Sequence, residues 1–151
     1  MNEIKAKLRK LRMIQLLLIA GVLIFASLPE HNFARPSSPR SWHFWLIIVL
    51  NTVCLLEGFN FRYRFLPRAV AALAREPESP RALRRWEVWQ LTCLVTAATV
   101  ALYGLVWRTV LRGTLREALV FYSVGLILLL LWTPRCPVAT AQIQKGPARS
   151  S

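Results

Sequence analysis

The sequence predicts an all-α integral membrane protein, a bundle of four transmembrane helices with both termini on the cytoplasmic side. Three observations carry this: the length of the apolar runs, the lack of a charged face within them, and the placement of Lys and Arg between them. A hydrocarbon core about 30 Å thick asks for roughly 17–25 apolar residues per helix. Four stretches approach or reach that length without an internal Lys or Arg: residues 13–28, 42–59, 88–107 and 118–134. A soluble helix this long would show a charged stripe at period 3.6, and none of the four does. The chain is 55% hydrophobic with a mean hydropathy of +0.40, which a membrane protein or a soluble core could share, so run length decides.

Orientation follows from the basic residues, because Lys and Arg beside short loops stay cytoplasmic. The N-terminal arm carries Lys5, Lys7, Arg9, Lys10 and Arg12. The middle loop carries Arg62, Arg64, Arg68, Arg75, Arg81, Arg84 and Arg85, and the tail Arg135, Lys145 and Arg149. The opposite side holds Arg35, Arg40, Arg108, Arg112 and Arg116. Fifteen against five predicts both termini inside, in the cytoplasmic (inner) membrane of a cell.

A net charge of +13 raises nucleic-acid binding, but the cations flank spans and no nucleic-acid module is present, so no nucleic-acid partner is expected. Anionic lipid is the expected partner instead. Each juxtamembrane cation contributes about 1 kcal/mol of attraction to an anionic leaflet, falling off within a Debye length. Arg62, Arg64, Arg68, Arg81, Arg84 and Arg85 are the residues expected at that interface.

Taken in order, the first apolar run follows a basic region, as a signal peptide would, yet the residues after Ala26-Ser27-Leu28 give no clear cleavage motif. Retention as an anchor is expected. The outer loop, with Pro29, Pro36 and Pro39, reads as an irregular connector. The second span leaves the bilayer where Phe59, Phe61, Tyr63 and Phe65 alternate with Asn60, Arg62 and Arg64, a composition suited to headgroups. Residues 68–75 can form two helical turns before Pro77. Ser79 then suits an N-cap and Pro80 a first helical position, so the third helix should run from Pro80 to Trp107. Trp132 and Pro134 close the fourth span, ending a membrane domain of residues 1–135. Residues 136–151 read as a disordered cytoplasmic tail.

Polar groups at membrane depth are costly and often functional. Glu57 is the ionisable candidate: it could hold a proton or cation, or pair with Arg62, Arg64 or Arg85 at the interface. Asn51 shares a face with Cys54, Leu55 and Gly58 and suits an interhelical hydrogen bond. Thr92, Thr96, Thr99 and Tyr103 form one stripe of the third helix; they could line a polar path, but Thr ordinarily bonds to its own carbonyl four residues back. Cys93, Ala97, Ala101 and Gly104 form a neighbouring stripe of small residues, a helix-packing seam with Gly58 or Gly125 as points of approach. Leu129 is expected to face lipid.

Cys54 and Cys93 lie within spans and Cys136 in the tail, which leaves no outer pair for a disulfide. No Cys or His set has metal-ligand spacing, so neither a metal nor a cofactor is expected. His31 and His43 sit at the outer edge; His43 as a pigment ligand is the alternative to anchoring beside Trp42 and Trp45, and specific binding of a pigment or lipid stays open.

Known families give limited guidance. Small multidrug transporters carry a carboxylate in their first span, which residues 13–28 lack. Ala101-Leu102-Tyr103-Gly104-Leu105-Val106 resembles the end of the outer helix of the ATP synthase c subunit. Ala98 stands where that family's ion-binding carboxylate falls, so the resemblance implies no proton transport. Residues 77–135 also resemble uncharacterised small bacterial four-helix membrane proteins, which implies no activity. No nucleophile with a base, no carboxylate pair and no phosphate-binding glycine loop points to an enzyme. The expected function is a non-catalytic accessory or assembly subunit packed against a larger membrane complex, with a small ion or solute transporter or channel as the alternative.

Overall fold

The computed structural model describes residues 2–28, 42–76, 78–111 and 113–134, and these are helical apart from short connections. Helix α1 is Asn2–Ser27, α2 Trp42–Asn60, α3 Leu66–Arg75, α4 Pro80–Thr109 and α5 Leu115–Leu131. A π-helical turn, Phe61–Phe65, joins α2 to α3. Three helical stretches are long and apolar enough to cross a membrane: Glu3–Ser27, Trp45–Arg75 and Pro80–Thr109. The outer loop with His31, the tail with Cys136, and the side chain of His43 lie outside the described residues.

Two boundaries differ from the sequence expectation. Helix α1 begins at Asn2 rather than at residue 13, so the basic arm is helical. Lys, Leu, Arg and Ala all favour helix, and Glu3 in the first turn meets the positive end of the helix dipole. The second difference is that the two turns expected at residues 68–75 are not set off by a loop, because α2, the π-turn and α3 run on without a break. Pro67 within a continuous helix would remove one backbone bond and crowd the carbonyl four residues earlier. The wider π-turn sits directly before it and opens the backbone there, with the Leu66 N–H donating to the Phe61 carbonyl.

The other termini are built as the residues dictate. The Ser79 hydroxyl accepts from the Ala82 N–H at 3.5 Å and Pro80 occupies the first turn of α4. Thr114 and Glu117 form a reciprocal capping box at the start of α5. That helix ends at Leu131, a turn earlier than the expected span, with Trp132 as its C-cap.

Helix α4 is the centre, touching α1, α2, α3 and α5, while α1 also touches α5. Within the most apolar 18-residue window 44% of α4 is buried, against 17% for α1 and 11% for the α2–α3 stretch, so the other helices are arranged around α4. Two apolar clusters stack along it. One joins Cys93, Leu94, Ala97, Val100 and Ala101 to Val22, Ile47, Tyr122 and Leu129. The second joins Ile4 and Leu11 of α1 to Leu66, Ala69 and Leu73 of α3 and to Ala82, Leu83 and Trp86 of α4. The second cluster makes the basic ends of three helices a packed head with its own core. Lys7 and Glu87 close it with a 2.8 Å ion pair.

Candidate functional site

The small residues of α4 lie in its interior. Cys93 and Ala97 are fully buried, Ala101 is 1% exposed, and Gly104 is buried. A Cβ at Gly125 would stand 2.6 Å from the Ala101 Cβ and 2.7 Å from its backbone nitrogen, so α5 meets α4 there almost backbone to backbone. At Gly104 a Cβ would meet the Tyr122 ring at 2.9 Å. Gly58 approaches Thr96 and Trp132 rather than the small-residue stripe. Leu129 is fully buried, whereas Leu130 and Leu131 are more than half exposed. This corrects its expected lipid-facing position, because α5 turns residues 118, 122, 125 and 129 toward α4, one per turn.

The threonine hydroxyls bond back to their own helix. Thr92, Thr96 and Thr99 donate at 2.9 Å to the carbonyls of Val88, Thr92 and Val95, each four residues back. Asn51 is half-buried, and its Oδ1 has no hydrogen-bond partner among the described residues. Cys54, one turn on, lies against the Thr96 carbonyl, 3.9 Å from its Sγ. Glu57 is exposed on α2 and does not join these groups.

The basic residues sort by height along the head. Arg64, Arg68, Arg81, Arg84 and Arg85 are exposed and Arg62 is half-buried; Arg9, Lys10 and Arg12 of α1 are exposed too. At the far end of the head Lys5, Arg75 and Arg81 are interspersed with Glu3, Glu76 and Glu78, which nearly balances the charge there. The excess of cations falls within about two turns of the first apolar residues of α1 and α4. Aromatic rings occupy the same level. Phe65 stacks on Trp89 with centroids 4.9 Å apart, Phe61 lies 5.6 Å from Trp89, and Tyr63 stacks on Phe59 at 5.9 Å. The π-turn brings Phe61 and Phe65 to the same indole, since its extra residue per turn re-aims the helix face.

Three buried polar residues were not singled out from the sequence. Gln15 of α1 is 6% exposed and donates to the Leu129 carbonyl at 2.5 Å and to the Thr133 hydroxyl at 3.1 Å. Gln90 is 2% exposed. Arg108, expected in the outer loop, lies in the last turn of α4 and is 1% exposed. Its guanidinium donates to the carbonyls of Phe25 at 3.0 Å and Leu28 at 2.7 Å. The sequence holds the reason: the residue four after Phe25 is Pro29, which has no N–H to give that carbonyl. A cation at the negative end of the α1 dipole completes the match. No protein-family model, curated protein or solved structure matches the chain.

Proposed function

We propose that the chain is a non-catalytic, multi-pass subunit of the bacterial inner membrane, with four spans and both termini inside, which packs as an accessory or assembly factor against a larger membrane complex. In this reading α5 is the fourth span. Its 17 residues rise about 25 Å, enough for a bilayer core that thins slightly or for interfacial Trp132 to settle among headgroups.

The observation that carries the reading is the outer side of α2. That helix packs chiefly on α4, and Trp45, Leu46, Val49, Leu50, Val53 and Leu56 are between 43% and 65% exposed. The result is a long apolar ridge, fit for another apolar helix, on the side of α2 opposite the face that carries Asn51, Cys54 and Gly58 and meets α4. The close-packed α4–α5 contact and the back-bonded threonines favour a packing role over transport. The belt of cations and aromatic rings around the head supports anchoring at an anionic leaflet.

Mild-detergent extraction and purification test the reading. A partner should co-purify at fixed stoichiometry and be lost when Val49 and Val53 are both replaced by Phe. A chain that purifies alone and conducts ions or solutes in reconstituted vesicles refutes it.

A further inference from the structure

Glu57 stands apart from the rest of α2. Its side chain is exposed, and it has no hydrogen bond or ion pair among the described residues. The positions three and four away on the same helix are Val53, Cys54, Asn60 and Phe61, so no neighbouring turn offers a cation. We infer that Glu57 selects the partner of the α2 ridge: a transmembrane helix of another protein, carrying one Lys or Arg that meets this carboxylate. The inference rests on the docking role of the ridge proposed above.

Position on the helix makes Glu57 part of that ridge. Leu46, Leu50, Val53 and Glu57 follow one another at intervals of four, three and four residues, which keeps them within about 60° around the axis. The three apolar members are 43%, 44% and 51% exposed, so a helix laid along them reaches Glu57.

Depth decides the chemistry. With Trp42 at the outer boundary, Glu57 lies about 22 Å along the axis, which leaves it about 8 Å short of the inner edge of the hydrocarbon core. In the proposed orientation α2 starts outside. Cα–Cβ bonds tilt toward a helix's N-terminus, so the Glu57 side chain leans toward the bilayer centre and away from the inner headgroups. Its stem is too short to snorkel back to them as Lys and Arg do. A charge held at this depth is costly unless it is paired. Lipid tails and a wholly apolar helix both leave the carboxylate bare, whereas a cation on the adjoining helix satisfies it. On a partner helix antiparallel to α2 the side chains tilt toward the cytoplasm, so a cation slightly nearer the bilayer centre leans down onto Glu57.

The test places the full chain, donor-labelled at its N-terminus, in phosphatidylcholine liposomes with an acceptor-labelled probe helix. The probe has about 20 Leu and Ala residues and one guest, Arg, Leu or Glu, about eight residues from its N-terminus. Energy transfer should show the Arg probe associating about tenfold more tightly than the Leu probe, the low end of the couplings measured for close charge pairs. Glu57→Gln should bring the Arg probe down to the level of the Leu probe, and Glu57→Arg should shift the preference to the Glu probe, both with the parent's helix content by circular dichroism. Equal association of the Arg and Leu probes with the parent overturns the pairing, as does an Arg preference that survives Glu57→Gln. Energy transfer between two labelled batches of the full chain without probe, lost in Glu57→Gln, also overturns it, by making a second copy the occupant. The Leu probe separates the two readings. If it binds the parent and is lost when Val49 and Val53 are both replaced by Phe, the ridge stands even where the charge pair fails; if no probe binds, both fall.

Discussion

Replacing Arg108 should loosen the junction of α1 with α4 more than any change on the surface of the bundle. The side chain is 1% exposed and holds two carbonyls at the end of α1, those of Phe25 and Leu28, at 3.0 and 2.7 Å. Hydrogen bonds between membrane helices average about 0.6 kcal/mol each, which sets a floor near 1 kcal/mol for the pair. Bonds from a charged donor contribute about 1.5–3 kcal/mol each, which sets a ceiling near 6. Removing the buried charge returns part of its desolvation cost, so Arg108→Met should lower stability by about 2–4 kcal/mol. Arg108→Lys keeps the charge, but a point ammonium lacks the fork that reaches both carbonyls, and about 1–2 kcal/mol should be lost. Unfolding in mixed micelles of increasing dodecyl sulfate fraction, followed by circular dichroism, reads both values. A stability for Arg108→Met within about 0.5 kcal/mol of the parent, the range of an inert surface change, would refute the assignment of Arg108 as the C-terminal partner of α1.

Further outcomes follow from the same geometry. Ala101→Leu should cost about 1–3 kcal/mol or more by forcing α5 away at Gly125, whereas Leu130→Ile, on a side chain 56% exposed, should change thermal aggregation little. Equal tolerance of the two would show that the contact is not tight. A double-mutant cycle on Lys7 and Glu87, whose side chains are 25% and 23% exposed, should give a coupling of about 0.5–1 kcal/mol that shrinks with salt. A coupling that is indistinguishable from zero at low salt would remove the pair as a clasp of the head. Single cysteines in a Cys-free background at Arg75 and at Val110, both exposed, should react with a membrane-impermeant maleimide from opposite sides, Val110→Cys in intact cells and Arg75→Cys after lysis. Labelling of Arg75→Cys in intact cells would invert the orientation.

The sequence by itself determined the helical class, because continuous apolar runs of about 17–20 residues, without the in-out alternation of a barrel strand, suit a helix that satisfies its own backbone hydrogen bonds in an apolar surrounding. It also located the start of α4, since Ser79 and Pro80 act through bonds to residues within one turn. The small residues at positions 93, 97 and 101 could be placed on one face by helical spacing, and the back-bonding of Thr92, Thr96 and Thr99 is equally local. Other features were decided only by the tertiary structure. Residues 68–75 read as two helical turns set apart from the second span, because Arg and Pro67 interrupt the apolar pattern; they continue α2 because the apolar side of α3, Leu66, Ala69 and Leu73, is buried against α1 and α4. Arg108 reads as one more outer cation until α1 brings two carbonyls to it across 80 or more residues of chain. Leu129 differs from Leu130 in nothing but its angle around α5, and only the position of α4 makes one buried and the other exposed. Spacing along a helix fixes which residues share a face, but the side from which a neighbour approaches depends on contacts between segments far apart in sequence, and those exist only in the assembled fold.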